Sequence, residues 1–332
     1  MINKLSIFIS KDNIPYKNLA VEQFLTMHTG ADECILYLWQ NDHTVVVGRN
    51  QNCFKECRVS LLESEGGFLA RRLSGGGAVY HDMGNLNFTF CVRKENYDLD
   101  KQLQVIIRAV QKLGIRAEQN GRNDIIAGDG KKFSGNAFYE NGDFCYHHGT
   151  LLIHTDSQMM ARYLNVSREK LQSKSIQSVQ SRVVNLSELC PSVTVEFMKD
   201  KMVEAFEDVY HLKAASVSEN RMDQSEIEEN QKIFESWTWK YGRKSSFNQQ
   251  MDKKYSWGDI HFEFMVKNGI VGDVNVYSDA MDQDFILRIA AALNGCRYNV
   301  SDMENQIVQC AGDNQTLLTM ASDIGRLFMD NM

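Results

Sequence analysis

One segment constrains this chain more than any other: RRLSGGGAVYHDMGN, at residues 71–85. Its three consecutive glycines follow two arginines, and a short apolar run and a His-Asp pair come after them. Glycine permits positive φ and lets backbone N–H groups approach a ligand closely, and N–H groups that converge form a concave anion site. Arginine adds a forked donor that matches phosphate or carboxylate. The segment therefore predicts a loop that holds a phosphate-bearing ligand.

A flexible turn between two strands is the alternative interpretation of these glycines, because glycine marks loops in every class of fold. The common nucleotide motifs do not decide between the two. The P-loop pattern G-x-x-x-x-G-K-[ST] is absent, and no G-x-G-x-x-G opens a helix. A nucleotide that binds here is therefore expected to use neither a P-loop nor an ordinary Rossmann site.

A second polar cluster, residues 123–137 with the sequence NDIIAGDGKKFSGNA, predicts two short strands joined by a tight Asp-Gly turn. A polar face with a lysine suits a phosphate-handling site, and an exposed hairpin with a solvated lysine pair is the alternative. Period-2 alternation in the second strand predicts one face with Lys132, Ser134 and Asn136 and another with Lys131, Phe133 and Ala137.

The residue that faces Lys132 across this hairpin depends on the register. A three-residue loop at 128–130 puts Asp124 on the face of Lys132. A two-residue Asp129-Gly130 turn brings Asn123 there instead. Both registers stay open, because a slip of one residue moves every side chain to the other face.

Two adjacent histidines, His147 and His148, precede the apolar sequence GTLLI. Neighbouring residues of a strand point to opposite faces, so at most one of the two can face a site on that sheet. They cannot clamp a metal on one face, and no Cys or carboxylate stands nearby at zinc-ligand spacing. A satisfied structural histidine is the alternative for either residue.

Taken together, these segments closely resemble the bacterial lipoate–protein ligase A family, and the resemblance covers nearly the whole chain in order. The motifs that carry it are RRLSGGGAVYHDMGN (71–85), GRNDI (121–125), KKFSGNA (131–137), HHGTLL (147–152), NLAVEQ (18–23), LWQNDHTVVVGRNQN (38–52), KEC (55–57), SVQSRVVNLSEL (178–189) and WTWKYG (237–242).

The resemblance implies a two-step reaction. Free lipoate and ATP give lipoyl-adenylate and pyrophosphate. The lipoyl group then passes to a lysine of an acceptor protein, either the lipoyl domain of a 2-oxoacid dehydrogenase E2 or the glycine-cleavage H protein. A carboxylate has no good leaving group, and its attack on the α-phosphate supplies AMP as one. Because both reactants are anions, the site must supply positive charge.

The resemblance assigns that charge to Lys132, which in the family lies between the lipoyl carbonyl and the α-phosphate. Arg72 matches a nucleotide-contacting arginine, and Asn123 and Asp124 match a polar pair beside the adenylate. Asp124 is expected to contact Mg²⁺, which prefers carboxylate and phosphate oxygens, and a turn or sheet-edge hydrogen bond is the alternative. The stretch whose backbone reads the nucleotide matches Gly77, Ala78, Val79 and Tyr80.

Lipoate needs an apolar slot for its dithiolane ring and chain. Four apolar residues match family positions near that slot, namely Leu19, Trp39, Val46 and Ala137. The polar and glycine residues expected beside lipoate are Lys132, Arg71, Ser74, Gly75, Gly76, His81 and His148. Buried Leu, Trp and Val are ordinary core residues, so a purely structural role is the alternative for the apolar set.

The fold implied by the resemblance is α+β. It comprises a large catalytic domain of the biotin/lipoyl ligase type, with mixed, mainly antiparallel sheets and flanking helices, and a small α+β C-terminal accessory domain. The accessory domain is expected to move between the two steps. We expect the catalytic domain at residues 1–246, a linker at 247–254 and the accessory domain at 255–332.

Local patterns predict the main elements. Strands are expected at 33–39, 44–47, 87–92 and 150–154, and a hairpin at 256–264 and 270–276. Helices are expected at 101–113, 197–210, 284–293 and 315–329. Trp237 and Trp239 are expected to face one way on a strand. The acidic stretch 216–230 indicates a surface loop or the start of an exposed helix.

Composition argues against several other classes of protein. The net charge is −7 and the pI is about 5.7. These values argue against nucleic-acid binding, which needs a basic surface. No apolar run is long enough to span a membrane. We expect no signal peptide, because the N-terminal apolar stretch is too short and has no small-residue cleavage site. The eight cysteines form no C-x-x-C pair, so we expect free thiols in a reducing cytoplasm.

Three other functions compete with the ligase. An ATP-independent octanoyl- or lipoyl-transferase of the same fold would need a nucleophilic cysteine near the acyl carbonyl. However, Cys190 lies beyond the expected region, and Cys145 precedes the HHGTLL motif. A biotin ligase would carry a G-R-G-R-x-G loop, which is absent, and a non-catalytic lipoate-binding relative would not require Lys132. Turnover that depends on ATP distinguishes the ligase from the transferase and the binding protein.

Overall fold

The computed structural model describes residues 1–121, 123–165, 183–242 and 247–332. Arg122 of the GRNDI motif and residues 178–182 of SVQSRVVNLSEL lie outside the described residues. The strands within these ranges are β1 Lys4–Ile9, β2 Glu33–Trp39, β3 Thr44–Val47, β4 Phe68–Arg71, β5 Val79–His81, β6 Asn85–Arg93, β7 Ala117–Asn120, β8 Asp124–Ala127, β9 Lys132–Asn141, β10 Phe144–Leu152, β11 Ala214–Ser216, β12 Gln249–Tyr255, β13 Gly258–Lys267 and β14 Ile270–Ser278.

The helices, numbered over the same ranges, include several of a single turn. They are α1 Pro15–Met27, α2 Cys53–Glu56, α3 Val59–Ser64, α4 Leu99–Gln111, α5 Ser157–Tyr163, α6 Leu186–Leu189, α7 Val195–Tyr210, α8 Gln224–Glu235, α9 Trp237–Tyr241, α10 Gln283–Leu293, α11 Val300–Ala311 and α12 Gln315–Asn331. Short 3₁₀ turns occupy Lys94–Asn96 and Glu219–Arg221.

The chain forms two compact units. The first unit consists of Met1–Val46, Phe54–Arg71 and Ala78–Lys240. The second consists of Val47–Cys53, Arg72–Gly77 and Tyr241–Met332. The glycine-rich loop therefore belongs to the second unit, although its flanking residues belong to the first.

An eight-stranded mixed sheet organises the first unit, in the order β11-β1-β2-β6-β10-β9-β8-β7. Strands β11, β1 and β2 run parallel, and each later neighbouring pair is antiparallel. A separate three-stranded sheet has the order β4-β3-β5. The central strand β6 is buried on both faces, and its apolar residues alternate with buried polar ones, so that the two faces of the sheet differ in polarity.

Helices α4 and α7 cover the apolar face of the large sheet. Asp98 caps α4 by accepting a hydrogen bond from the backbone N–H of Lys101, and Gly114 follows the helix with a φ of 80°. The side chains that α4 contributes to the core recur at helical spacing and are Leu103, Ile106, Ile107 and Val110. This face is a continuous hydrophobic core.

Helix α1 covers the opposite face of the sheet and also packs against α8. It begins with Pro15 at its first turn, where a missing N–H costs no hydrogen bond. Its buried surface is not purely apolar, because Asn18, Glu22 and Thr26 are all enclosed beside Leu19. The part of this second face that lies beneath α1 is therefore partly polar and buried.

The second unit contains the antiparallel sheet β12-β13-β14 with helices α10, α11 and α12, around a hydrophobic core of its own. The α+β fold predicted from the sequence is thus confirmed. Among the described residues, no helix combines the length and the apolar character that crossing a bilayer requires. All eight cysteines are free thiols, as predicted.

Most predicted elements agree with the structure to within a few residues. The strand predicted at 150–154 is instead the last part of β10, which begins at Phe144. Trp237 and Trp239 lie on the short helix α9, so the strand prediction is wrong there. The acidic stretch contains a 3₁₀ turn and the start of α8. Strand β12 occupies most of the predicted linker at 247–254, and the division into catalytic and accessory domains stays a prediction.

A buried carboxylate ties β1 and β2 to the chain just before α8. Glu33 is 1 % exposed, and its oxygens lie 2.7 Å from the two terminal nitrogens of Arg221. Lys4 Nζ lies 3.0 Å away, and the hydroxyl of Ser6 also donates to this carboxylate. Burial alone would raise the pKa of Glu33, but the bonds from Arg221, Ser6 and Lys4 outweigh burial and lower it to about 2.

We predict that Glu33→Gln lowers the free energy of unfolding at pH 7 by roughly 2–3 kcal/mol, because it leaves Arg221 without its charge partner. The pKa of Glu33 is lower in the folded state, so its contribution is present above pH 4.5 and is lost as the pH falls toward 2. Urea unfolding at pH 7 and pH 3 should show a smaller pH effect in the variant. The exposed Glu95→Gln is the control, and equal pH effects in wild type and Glu33→Gln would contradict the prediction.

Candidate active site

The hairpin that carries Lys132 has the register of the three-residue loop. Ala127 N donates to Lys131 O at 2.9 Å, which closes the loop at 128–130. Lys132 Nζ lies 2.7 Å from Asp124 Oδ1, and the two side chains are 34 % and 36 % exposed. Asp124 is therefore the partner of Lys132, and the position leaves both groups accessible to a ligand.

Asn123 has a different role in the same hairpin. Its side-chain Nδ2 donates to Asn136 O at 3.0 Å, and the backbone N–H of Asn136 donates to Asn123 O at 2.8 Å. These bonds extend the pairing of the two strands by one residue beyond Asp124. Asn123 thus stabilises the strand that presents the Asp124 carboxylate.

A β-bulge at Phe133 interrupts the alternation predicted for β9. Ile126 pairs with Lys132, whereas Ile125 pairs with Ser134, so the second strand carries one residue more than the first. A bulge changes which side chains share a face. The residues beyond it lie on the face opposite to the one that simple alternation predicts.

Lys132 consequently shares a face with Gly135 and not with Asn136. A Cβ on Gly135 would lie 2.9 Å from Lys132 Nζ and 3.9 Å from Thr150 Oγ1, so the lysine side chain lies over this glycine. Asn136 points to the apolar core, where its Oδ1 accepts a hydrogen bond from His147 Nε2 at 2.8 Å. The predicted common face of Lys132 and Asn136 is therefore wrong, and the bulge is the reason.

Cross-strand pairing arranges this face of the sheet in rows. One row crosses β2, β6 and β10 at Trp39, Asn87 and Thr150. Thr150 Oγ1 accepts from Gly135 N at 3.3 Å, and Gly135 pairs with Asp124. We call this side of the sheet the lysine face, because the row ends beside the Lys132–Asp124 ion pair.

A neighbouring row on the lysine face contains Tyr37, Thr89, His148 and Ala137. His148 is 6 % exposed and Ala137 is equally buried. Trp39, Ala137 and His148, all predicted beside lipoate, thus share one face with the catalytic candidate. Leu19 is buried on α1, the helix that covers this face.

A chain of buried hydrogen bonds runs across the lysine face. Trp39 Nε1 donates to Thr89 Oγ1 at 3.0 Å, and Thr89 donates to Glu22 Oε1 at 2.6 Å. His148 Nδ1 lies 2.7 Å from the same oxygen of Glu22, which is 1 % exposed. Burial of a carboxylate is unfavourable without such hydrogen-bond partners. The same hydrogen bonds hold the Trp39 and His148 rings in one orientation.

Sequence reasoning does not single out Glu22 or Thr89, although both leave a signal. Glu22 is a charged residue in the middle of a helix whose neighbours Leu19, Val21 and Phe24 are buried. Thr89 occupies a polar position in a strand whose alternate residues are apolar. A buried polar residue at such a position indicates a specific partner.

His147 lies on the opposite face from His148, as predicted for adjacent strand residues. Its Nδ1 lies 3.2 Å from Gln102 Oε1 on α4, and its ring packs against Phe88 and Phe90. Complete burial lowers the pKa of His147 to about 3, and the nearby His148 adds to the shift. His147 is therefore a neutral structural histidine.

The small sheet of the first unit carries the end of the glycine-rich segment. Val46 pairs with Val79, and the ring of Tyr80 packs against His43 and Tyr163. Ala78, which precedes this strand, is partly exposed. In the same sheet, His81 Nδ1 accepts from Asn41 Nδ2 at 3.2 Å, and the His81 ring is edge-on to Trp39. Contacts with His81 thus add to those that hold Trp39 in place.

Arg71 binds the short helix α9. Its guanidinium donates to Trp239 O at 2.9 Å and to Lys240 O at 2.7 Å, and Trp239 Nε1 donates back to Arg71 O at 2.8 Å. Cations are favourable beside the unpaired carbonyl groups that end a helix. Trp239 and Lys240 of the WTWKYG motif are therefore hydrogen-bond partners of the first arginine of the glycine-rich segment.

The glycine-rich loop of the second unit folds around Arg72. The Arg72 guanidinium donates to Ser74 Oγ at 3.0 Å and, through Nη2, to Gly75 O and Gly77 O at 2.7 and 2.8 Å. In the same unit, Gly75 N donates to Gln283 Oε1 at 3.1 Å. The loop is thus an ordered structure with a buried arginine at its centre.

The close packing of this loop requires glycine at two positions. A Cβ on Gly75 would lie 2.3 Å from Ala280 O, and Gly76 has a φ of 87°. Gly77 is different, because it is exposed and nothing lies within 4 Å of where its Cβ would be. The space beside its Cα is open to a ligand.

Comparison with known proteins identifies the family to which this chain belongs. Residues 14–207 match the lipoyl protein ligase A/B catalytic domain, and residues 244–323 match the bacterial lipoate protein ligase C-terminus. The chain therefore belongs to the lipoate–protein ligase A family, as the sequence motifs predict.

Two curated relatives extend over essentially the full chain. The lipoate-protein ligase A of Bdellovibrio bacteriovorus is 35% identical and aligns over 100% of this chain and 99% of its own. That of Psychrobacter cryohalolentis is also 35% identical, over 99% of both chains.

Solved structures have the same architecture. P. falciparum LipL1 in complex with lipoate superposes with a TM-score of 0.84 at 28% identity, over 97% of this chain and 99% of that one. A bipartite lipoate protein ligase from Thermoplasma acidophilum, described with its E2 lipoyl domain, gives a TM-score of 0.64 at 26% identity, over 74% of this chain and 99% of that one. A lipoate-protein ligase A bound with ATP shares the fold, with a TM-score of 0.63 at 24% identity, over 73% and 99% of the two chains.

We predict that His147 makes the fold sensitive to acid. Because its pKa is about 3 in the folded state and near 6.5 when unfolded, only the unfolded chain binds its proton between these values, and stability falls with pH. Between pH 7 and pH 5 the free energy of unfolding is expected to fall by about 2 kcal/mol, because below pH 6.5 each pH unit costs ~1.4 kcal/mol. Urea unfolding of His147→Gln should lack this loss, while the exposed His154→Gln retains it. An unchanged pH effect in His147→Gln would refute the assignment.

Proposed function

We propose that this chain activates free lipoate with Mg·ATP to lipoyl-AMP and pyrophosphate, and then transfers the lipoyl group to a lysine of an acceptor protein. Family membership supports the ligase activity. The observation that carries the chemistry is the position of Lys132. Its ammonium group lies over Gly135 at the end of the row that leads from Trp39, and it is partly exposed.

In the first step, Lys132 would bring two anions together. A lipoate carboxylate bound at Lys132 Nζ would partly replace Asp124 as the partner of the ammonium group. The same ammonium group would also bind the α-phosphate. Holding the reactants at the distance of reaction and stabilising charge on the transition state are the two contributions expected of such a group. In the second step the same ammonium would stabilise the oxyanion that forms on the acyl carbonyl.

The remaining site residues are proposed to bind the substrates. Arg72, Asn123 and Asp124 with the backbone of residues 77–80 would bind ATP. The lipoyl group would lie beside Trp39, Ala137 and His148 on the lysine face, with Leu19 and Val46 as apolar neighbours. The further lipoate contacts proposed from the family resemblance are Arg71, Ser74, Gly75, Gly76 and His81.

The Asp124 carboxylate suits a magnesium ion that would enter together with ATP. Within the described ranges, no three Asp, Glu, His or Cys side chains form a metal-binding group. A single carboxylate suits Mg²⁺, which usually takes one or two protein carboxylates and completes its shell with phosphate oxygens and water. We propose that Asp124 is that carboxylate, and the ion would neutralise phosphate charge there.

The acceptor is proposed to be the lipoyl domain of a 2-oxoacid dehydrogenase E2 or the glycine-cleavage H protein. The E2 lipoyl domain named with the Thermoplasma ligase supports the first of these classes. We further propose that the chain acts in the cytoplasm, in keeping with its free thiols.

An acyl transferase that uses a cysteine is disfavoured by the environment of Cys145. Burial raises the pKa of this thiol to about 11, so little of the thiolate nucleophile is present near neutral pH. Cys190 lies at the end of α6, where its sulfur is 3.5 Å from Ser192 Oγ. Neither thiol belongs to the two rows that contain Trp39, Ala137 and His148.

We predict that Lys132→Ala reduces lipoate-dependent pyrophosphate release by at least about a hundredfold, the size of effect that loss of one transition-state partner produces. The measurement uses Mg·ATP and lipoate without an acceptor. Lys131→Ala is the matched control, because Lys131 is the adjacent residue and pairs only weakly, at 3.6 Å, with Asp129. Acceptor modification that proceeds without ATP would contradict the ligase and establish a transferase.

We also predict that Gly135→Ala reduces the same activity about ten- to a hundredfold without unfolding the protein. The new methyl group would displace the flexible end of Lys132 and leave the backbone in place. Thermal unfolding should therefore change little. Gly272→Ala is the control, because its nearest contacts are an ordinary 3.9 Å away. Full activity in Gly135→Ala would show that the observed lysine position is not required.

A further inference from the structure

A buried hydrogen-bond donor on the lysine face has no partner among the described residues. It is the Nδ2 atom of Asn87, whose side chain is 1 % exposed. A buried amide without a partner is unfavourable for folding, and native proteins contain few of them. Such a donor is available to an acceptor beyond the described residues, such as a bound ligand.

The Asn87 amide contacts the side-chain amide of Asn85, two residues earlier on β6. Asn85 Nδ2 donates to Asn87 Oδ1 at 2.9 Å. The oxygen end of Asn87 is thus used within the strand, and the Nδ2 end remains for another group. Asn87 therefore differs from the asparagines of turns, whose side chains hydrogen-bond to the nearby backbone.

The neighbours of Asn87 in its row already have partners. Trp39, directly opposite on β2, donates to Thr89, and Thr150, directly opposite on β10, accepts from Gly135 N. These bonds leave the Asn87 donor without a protein acceptor in its own row. Asn87 lies between the tryptophan predicted beside lipoate and the strand next to the lysine.

The distance from Asn87 to Lys132 suits a shared small ligand. Two strand spacings, about 10 Å, separate the Asn87 and Gly135 backbones. The Lys132 ammonium lies over Gly135, close to Thr150. The two side chains lie on the same face of the sheet, which is the arrangement that one carboxylate bound between them would require.

We infer that Asn87 Nδ2 binds a carboxyl oxygen of the acid substrate and orients it for attack on the α-phosphorus. This inference rests on the proposed function. A lysine ammonium is a compact charge with rotatable donors, and it holds an anion without specifying its orientation. An amide donor is directional. Together they hold one carboxyl oxygen and leave the other directed at the phosphate.

The test compares two ligands and two variants. Lipoate and its primary alcohol share the dithiolane ring and the chain, but the alcohol has one neutral oxygen and no carboxylate. Asn87→Leu removes the donor at similar size. We expect it to weaken lipoate binding roughly ten- to a hundredfold by calorimetry, and binding of the alcohol less than threefold. The KM for lipoate in pyrophosphate release should rise similarly, while the KM for ATP stays within about twofold.

Asn87→Asp separates binding from a structural role. The aspartate keeps an oxygen that can accept from Asn85 but has no Nδ2 donor. We expect it to lose lipoate affinity as Asn87→Leu does, and recovery of wild-type affinity would overturn the inference. Equal weakening of lipoate and alcohol in either variant would also overturn it.

The wild type distinguishes this inference from the function on which it rests. If wild type binds and turns over lipoate and the variants do so equally well, only the role of Asn87 is overturned. If wild type binds no lipoate and releases no pyrophosphate, both the inference and the proposed function are overturned.

Discussion

The proposed site depends on the absence of a side chain at residue 135. The Lys132 ammonium lies against the sheet, at a place where a Cβ on Gly135 would come within 2.9 Å of it. The bulge at Phe133 brings Lys132 and Gly135 to the same face, and Asp124, which pairs with Gly135, supplies the counter-charge. Three local features of one hairpin thus place a single positive charge at the end of a row of polar residues.

The large sheet has two chemically different faces, and β6 shows how they arise. Its apolar residues pack under α4 and α7, and its polar residues alternate with them toward α1. A polar face that is also buried is unfavourable unless its groups bond to one another, which Glu22, Thr89 and His148 do. These buried hydrogen bonds also hold the rings beside the expected substrate in one orientation.

The sequence predicts the local parts of this structure better than the tertiary ones. Strands β2 and β3 follow directly from local sequence patterns, and the family motifs propose Lys132 and Asp124 as site residues. The bulge in β9 depends on how the facing strand pairs, and no local pattern reveals it. The bond between Glu22 and His148 joins residues 126 positions apart, so neither residue alone indicates the other. Trp237–Tyr241 is too short for its periodicity to distinguish a helix from a strand, and its contact with Arg71 is again tertiary.

The three glycines of the loop can now be separated by their physical roles. Gly75 is required because a side chain would collide with the Ala280 carbonyl, and Gly76 because its φ is positive. A flexible turn explains neither, since both residues are buried in an ordered loop around Arg72. Gly77 has an ordinary φ and open space beside it, so the fold itself would accept a larger residue there. Close approach of a ligand to its backbone is the physical reason that remains for glycine at this position, and it supports the nucleotide contact proposed for residues 77–80.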